Sequence, residues 1–259
     1  MGEGEKLRAD LLLVKKGLAS SRTHAQALIE SSQVFYEEQG QKKALKKASL
    51  ALPLETSFEV EQGDANRFVS RGGLKLEGAL KHCQISVQGL DILDVGISTG
   101  GFTDCALQGG AGSVVGVDVG HGQVHPSLAK DSRLTVFEGV NARTLRTQLA
   151  ELRPQTRNDF DLIVMDVSFI SMTLILPELH DLLRPQGKFL GLVKPQFEVG
   201  VEGLGKGGIV KDESLYDSVK EKIFFSCEQS SLKVLDYFSS PIIGKDGNRE
   251  FFVYCSRVS

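Results

Sequence analysis

The sequence predicts an α/β protein, in which a parallel sheet closed by an antiparallel C-terminal hairpin follows a small α+β module. Three observations carry this. From residue 91 onward, apolar strand-like runs alternate with helical ones, the order that builds a parallel sheet with helical crossovers. The last two strand-like runs, KVLDYFSSPII (233–243) and EFFVYCS (250–256), flank a GKDGN turn and so read as an antiparallel pair. The N-terminal stretch has a charge pattern of its own. Residues 6–47 hold nine basic and four acidic side chains, whereas residues 48–259 hold 21 basic and 27 acidic ones. The expected organisation is a small domain over 1–60, a linker over 61–69 and a large domain over 70–259.

In the small domain, LRADLLLVKKGL (7–18) reads as a helix closed by Gly17. RTHAQALIES (22–31) reads as a second helix, with Ser20 or Ser21 as its cap and Ala25, Leu28 and Ile29 on one face. VFYEEQGQKKALKKASLAL (34–52) alternates into short strands that turn near Gly40, and FEV (58–60) supplies the last strand. A net-positive module on an acidic body suits a polyanionic partner.

The large domain opens with SRGGLKLEGAL (70–80), a helix carrying Arg71 and Lys75. DILDVG (91–96) is a buried strand with Asp94 near its end, and SVVGVDV (113–119) is a second strand with Asp118 near its end. Between them Gly96, Gly100 and Gly101 let the backbone turn tightly and approach a ligand. A carboxylate after the second strand is placed to hold ribose hydroxyls, so the segment predicts a nucleoside-containing cofactor. The spacing Gly96-x-x-x-Gly100-Gly101 does not meet the dinucleotide pattern G-x-G-x-x-G. Instead, D-x-G-x-x-x-G-G-F-T followed by a second acid resembles the S-adenosylmethionine site of Rossmann-like methyltransferases. That resemblance implies cofactor contacts from Asp94, Gly96, Ser98, Gly100, Gly101, Phe102, Thr103, Asp118, Val119, Asn141 and Asp166.

The alternation continues with strands at LTVFEG (134–139), FDLIVMDVS (160–168) and KFLGLVKP (188–195), the middle one apolar throughout, as a strand buried on both faces must be. TLILPELHDLL (173–183) reads as a helix despite Pro177, and ESLYDSVKEKIFFSCEQ (213–229) as an amphipathic helix. Ligands of such a sheet gather beyond the carboxyl ends of its strands. Asp94, Asp118, Asn141, Asp166 and Lys194 stand there, and a lysine in so apolar a setting requires a partner.

Composition narrows the function classes. No run of about 18 apolar residues suggests a membrane span, and the charged start MGEGEKLRAD does not resemble a secretory signal. Cys83, Cys105, Cys227 and Cys255 are scattered and read as buried thiols of a cytoplasmic protein. His121 and His125 are four apart, but Gly122 and Pro126 argue against a helix presenting both to a metal, and no metal site is expected. Gly200-x-x-x-x-Gly205-Lys206-Gly207 approaches a phosphate loop but lacks the following Ser or Thr. It reads better as a mobile loop with Lys206 and Lys211 facing substrate.

Three further resemblances give these residues roles. R-x-D-L-L-L-V…G-L-A-S-S-R-x-x-A-Q-x-L-I resembles the compact RNA-binding domain shared by a ribosomal small-subunit protein and many pseudouridine synthases, which implies RNA contacts at Arg8, Ser21, Arg22 and Gln26. The hairpin departs from that domain's usual V-x-V-N-G turn. Glu37 and Glu38 would repel phosphate there, and Lys42, Lys43, Lys46 and Lys47 are placed to take over. Ser70-Arg-Gly-Gly-Leu-Lys75-Leu resembles the S-R-A-x-x-K-L helix of FtsJ-type ribose 2′-O-methyltransferases. Their Lys-Asp-Lys-Glu tetrad maps onto Lys75, Asp166, Lys194 and Glu250, and Arg71 on the same helix is expected to contact RNA. Finally, FVSRGGLKL, LDVGISTGGFTDCALQGGA, VVGVDVGHGQ, EGVNAR, MDVSFIS, LVKPQFEVG and GNREFF together resemble the TlyA, or hemolysin-A-like, family of rRNA methyltransferases. One departure is Ile97, where the family usually has serine.

The TlyA resemblance implies S-adenosylmethionine as cofactor, ribosomal RNA or ribosomal subunits as partner, and cytidine 2′-oxygens as methyl acceptors. Such chemistry needs an oxygen positioned in line and a proton removed. Lys194 is the expected base, Asp166 and Glu250 are expected to orient, and the four titrations are expected to be coupled. The competing classes are a membrane-active cytolysin, disfavoured by the missing span and signal, and a binding-only protein, which has no need of two lysines facing two carboxylates. A small-molecule methyltransferase leaves the basic module unexplained. Stable membrane association is not expected.

Overall fold

A computed structural model describes residues 6–19, 22–30, 33–38, 40–60, 67–154, 159–244 and 247–258, apart from the side chains of 23, 27 and 30. The chain forms two compact units, one ending at Phe68 and the other starting at Val69. The expected linker residues 61–66 and the expected caps Ser20 and Ser21 lie outside the described residues.

In the first unit, residues 6–8 form a strand, not the start of a helix. β1 (Lys6–Arg8) pairs antiparallel with β4 (Ala51–Pro53), and α1 begins only at Ala9 and ends at Lys15. The left-handed Gly17 closes it, with the Leu18 amide returning to the Leu13 carbonyl. α2 (Arg22–Glu30) packs on α1, and β2 (Val34–Glu38) pairs with β3 (Gln41–Ala44) and β5 (Phe58–Val60). Ala25, Leu28 and Ile29 share one buried face with Leu12 and Leu13, so α1 and α2 close a small core of their own.

The second unit is built on a seven-stranded sheet of order β11-β12-β10-β9-β6-β7-β8. Its strands are β6 (Asp91–Val95), β7 (Ser113–Asp118), β8 (Leu134–Glu138), β9 (Phe160–Met165), β10 (Leu183–Val193), β11 (Leu232–Ser239) and β12 (Phe251–Arg257). β8 to β10 run parallel, and the antiparallel β11–β12 hairpin closes the β10 edge. The helices are α3 (Gly72–His82), α4 (Gly101–Gln108), α5 (Leu145–Leu152) and α6 (Leu215–Gln229). α5 has no counterpart in the sequence reading.

The helix expected over 173–183 is absent. Three successive 3-10 turns replace it, at Met172–Leu174, Leu176–Glu178 and His180–Leu182. Pro177 explains this, because it offers no amide to a helical ladder and crowds the preceding turn. The chain keeps its contacts through tighter bonds such as Glu178 N to Ile175 O (2.9 Å) and Leu182 N to Leu179 O (3.1 Å). Ile175, Leu176, Leu179 and Leu182 remain fully buried, so the segment's apolar pattern serves the core even though its period is not that of an α-helix.

Candidate active site

The sheet register sets the expected catalytic groups side by side. Val193 pairs with Phe251 across β10 and β12, so Lys194 and Glu250 are the next residues at the same end of adjacent strands. Met165 ends β9 beside β10, and Asp166 follows it. Lys75 comes from α3, where its ammonium donates to Glu250 Oε2 at 2.5 Å, with side-chain exposures of 11% and 4%. The Lys194 ammonium lies 2.5 Å from Asp166 Oδ1, while its hydrogen bond is directed at Ser168 Oγ at 2.8 Å. The tetrad is therefore two ion pairs, each joining a lysine to one carboxylate.

Asp166 Oδ1 is buried and taken by the Lys194 ammonium, whereas Asp94 Oδ1 on the neighbouring strand β6 is buried and accepts no hydrogen bond. Asp94 is 1% exposed, and its other oxygen accepts from Thr103 Oγ1 at 2.6 Å. Burial pushes the Asp94 carboxyl up to about 7, and the charges of Asp166 and Asp118 add to the shift against the Thr103 hydrogen bond. Three carboxylates thus converge at the ends of β6, β7 and β9, and that of Asp94 has a buried oxygen left over. A ligand bearing positive charge and N–H donors satisfies such a place.

The glycine turn works partly as expected. Gly96 has φ +87°, and a Cβ there would lie 2.7 Å from the Asp166 carbonyl, so only glycine lets β6 pass so close to β9. Ser98, also left-handed, donates its amide to Asp118 Oδ2 at 2.8 Å, and Gly120 N donates to Asp118 Oδ1 at 2.8 Å. Asp118 therefore pins the loop after β6 to the loop after β7, and Val119, 71% exposed, stands next to it. Gly100 and Gly101, expected to admit a ligand, instead admit protein. A Cβ would meet Leu128 Cδ1 at 2.4 Å from the first and Ser70 Oγ at 2.2 Å from the second, where α4 meets the start of α3. Phe102 is also a core residue, 3% exposed and stacked on Phe252 at 6.2 Å. Asn141 caps the 3-10 turn Ala142–Thr144 through Arg143 N (3.0 Å). Ile97 points inward, 3% exposed, into the space that a Cβ on Gly116 would fill. Its departure from the family pattern is thus accommodated within the core.

Several residues at the site carried no recognised signal. Phe169 is 92% exposed with a left-handed backbone (φ +63°), and its ring leans on Phe197 at 5.3 Å. A bulky residue held there is strained by roughly 1–3 kcal/mol, which is characteristic of functional positions. Ser168 and Phe169 both lie in MDVSFIS, yet a serine and a phenylalanine after a strand look like ordinary loop and core residues. The Gly-rich stretch is three 3-10 turns, Pro195–Phe197, Val201–Gly203 and Lys206–Gly208, with a bridge between Leu204 and Val210. Asn248, 2% exposed, anchors it by accepting from Val210 N and donating to Gly208 O, both at 3.0 Å. Lys206 is exposed there, whereas Lys211 turns back to the Glu202 carbonyl (3.1 Å). Arg71 is exposed and reaches the Ile243 carbonyl at 3.3 Å.

In the first unit the expected phosphate contacts are largely engaged with the protein. Arg8, Arg22 and Gln26 converge on the fully buried Asp10, at 2.9 Å each. The hydrogen bond from Arg8, with those from Gln26 and Arg22, holds its carboxyl well below the usual carboxylate range. Lys42 pairs with Glu59 (2.9 Å) and Lys43 with Glu38 (2.7 Å). Carboxylates on the same sheet thus pair with two of the four lysines assigned to RNA, and one of them, Glu38, is a group expected to repel it. Lys46 and Lys47 are exposed after β3. Among the described residues no group of three or more His, Cys, Asp or Glu side chains is arranged to hold a metal ion. No helix among them is long and apolar enough to cross a membrane.

The pattern of FtsJ-like methyltransferases matches residues 68–257, the whole sheet unit with the two ion pairs. The chain belongs to the FtsJ-like methyltransferase family, in its TlyA branch. It is 43% identical to the candidate rRNA methyltransferase YqxC of Bacillus subtilis, covering 96% of this chain and 85% of that protein. It is 38% identical to the 16S/23S rRNA (cytidine-2′-O)-methyltransferase TlyA of Mycobacterium tuberculosis, covering 96% and 89%. A solved structure of a candidate hemolysin from Streptococcus thermophilus matches with a TM-score of 0.74 and 36% identity over 99% of this chain and 90% of that one. The cofactor of this FtsJ-like enzyme is S-adenosylmethionine. Its cationic sulfonium and ammonium fit the orphaned oxygen of Asp94 and the negative charge converging around it.

This fit carries a pH dependence. A cationic cofactor favours ionised Asp94, whereas the carboxyl near 7 is increasingly protonated as pH falls. S-Adenosylmethionine affinity should weaken as pH drops from 8 to 5, approaching about tenfold per unit below the apparent pKa. The stability effect has the opposite sense. A raised folded pKa gives stability that is present at low pH and lost as pH rises through about 7, so the cofactor-free protein should melt lower at pH 8 than at pH 6 on this account. Asp94→Asn should flatten both trends, as calorimetric titration and thermal melts across the pH range would report.

Proposed function

We propose that this enzyme transfers the methyl group of S-adenosylmethionine to a ribose 2′-oxygen of ribosomal RNA, at a cytidine. The observation that carries this reading is the Lys194–Asp166 pair at the strand ends, beside the orphaned Asp94 oxygen and a second pair, Lys75–Glu250. The cofactor, when bound, supplies an activated methyl carbon. The chain's own part is to hold the acceptor oxygen and take its proton. Lys194 would accept the 2′-hydroxyl proton while that oxygen bonds to the methyl carbon, whose bond to sulfur would break with its electron pair left on a neutral thioether. Asp166 and Ser168 hold the Lys194 side chain in place, and Lys75 with Glu250 forms a charged wall beside it. Asp94, Asp118 and the loop from Gly96 to Ser98 are the assigned cofactor ligands, with Val119 an apolar neighbour for the adenosine. Phe169 offers an exposed ring on which the target base, drawn out of its helix, can stack.

The first unit supplies RNA affinity. Since Arg8, Arg22 and Gln26 are committed to Asp10, their outer faces and the exposed side chains of Lys46 and Lys47 are the proposed phosphate contacts. Lys46→Glu with Lys47→Glu should lower the salt slope of rRNA binding by about two phosphate contacts and leave S-adenosylmethionine affinity intact. Arg22→Glu is a poor probe, because it places a second carboxylate against Asp10 and tests folding instead. Binding isotherms over a salt series would check this. The proposed substrate places the work of the chain in the cytoplasm. The reading as a whole is tested by mapping ribose methylation on rRNA from cells with and without the protein. Loss of one or a few 2′-O-methylcytidines is expected, and an unchanged map would refute it.

A further inference from the structure

We infer that Glu198 is a positioning residue for the methyl transfer, a single carboxylate that locks together the two backbone segments bearing Asp166 and Lys194. The inference rests on the reading of Lys194 as the base.

One of these segments leaves β9 with Asp166, Ser168 and Phe169 and reaches Ser171. The other leaves β10 with Lys194 and passes through a 3-10 turn to Glu198. The Glu198 side chain is 2% exposed, and both its oxygens are used. Oε1 accepts from Met172 N at 2.7 Å, and Oε2 accepts from Ser171 Oγ at 2.6 Å and from Lys222 Nζ of α6 at 2.7 Å. Lys222 also donates to the Glu198 carbonyl at 3.0 Å. Ser171 in turn caps the first 3-10 turn through Thr173 N.

Each segment is thus held at two points, by its strand at one end and by Glu198 at the other. Between those points lie the Lys194–Asp166 pair, Ser168 and the Phe169–Phe197 contact. A buried carboxylate satisfied by three donors is worth its desolvation where it fixes geometry. The groups it fixes here are those whose displacement by about 1 Å can cost up to 10²-fold in rate. None of its contacts reaches the cofactor ligands Asp94 and Asp118, which follow from β6 and β7.

Glu198→Gln keeps an acceptor for Met172 N but sets an amide NH2 against the Lys222 and Ser171 donors. With the full-length enzyme, rRNA and labelled S-adenosylmethionine, the single-turnover rate per calorimetrically counted cofactor site should fall about 10- to 100-fold. Cofactor affinity should stay within about twofold of the parent, because β6 and β7 are untouched. The same substitution in a Lys194→Ala chain should cost less than about threefold, since the group it positions is gone. Equal losses in both backgrounds, or no loss in the parent, would overturn the inference. If Glu198→Gln does not fold, Ser171→Ala takes its place, with about a three- to tenfold loss expected and no loss refuting it. A Lys194→Ala enzyme of near-normal rate would instead refute the base reading, and the loss caused by Glu198→Gln in the parent chain would then judge the clamp alone.

Discussion

Lys194→Ala should lower the single-turnover rate of methyl transfer by about 10²- to 10⁴-fold, the usual contribution of a positioned general base. The side chain is only 12% exposed and is held from two sides by Asp166 and Ser168. S-Adenosylmethionine affinity should change little, because the proposed cofactor ligands stand on β6 and β7. Lys194→Arg should fail as well: a guanidinium keeps its proton and so cannot accept one from the 2′-hydroxyl. Labelled methyl transfer measured in a single turnover separates these effects from product release. An arginine variant with near-normal rate would leave Lys194 only a positioning role.

The largest stability effect is expected at the other pair. Lys75 and Glu250 are both nearly inaccessible and 2.5 Å apart. Removing one partner of a buried pair strands the other charge and costs about 3–5 kcal/mol. Glu250→Ala should therefore lower the melting temperature by on the order of 10 °C, besides abolishing transfer. Lys75→Met combined with Glu250→Leu removes both charges and fills the space, so it should regain most of that stability while staying inactive. Thermal melts of Glu250→Ala and of the double variant check the point. A double variant no more stable than Glu250→Ala would show that the pair is not held as a desolvated unit.

How much of this was legible in the sequence depended on the kind of signal. The β-strands of the large unit announce themselves because a parallel sheet buried on both faces demands near-continuous apolar runs, as in FDLIVM. The tetrad was legible because motif spacing tied Lys75, Asp166, Lys194 and Glu250 to successive elements. What spacing does not reveal is partnership. By motif the four form one coupled set, but packing sorts them into two pairs, and Ser168 enters only through the bend after β9. Charge patterning misled at the first unit for the same reason. Arg8, Arg22 and Gln26 read as phosphate ligands because Asp10, in sequence an unremarkable helix-start residue, gave no sign that it would be buried among them. Glycines read as openings for a ligand at 100 and 101 because sequence does not distinguish close approach to a cofactor from close approach to Leu128 and Ser70. Phe169 and Glu198 were invisible: one is an aromatic whose exposure follows from a left-handed backbone, the other a carboxylate whose burial follows from three distant donors.

The central claim is that this chain methylates a ribose 2′-oxygen of rRNA. Its most direct test gives the purified protein S-adenosylmethionine labelled in the methyl group, together with ribosomal subunits and rRNA, followed by nuclease digestion and separation of the nucleosides. The account predicts label in 2′-O-methylcytidine, resistant to alkaline cleavage at that linkage and lost with Lys194→Ala. Label on a base, or none on any RNA while S-adenosylmethionine binds, would contradict it.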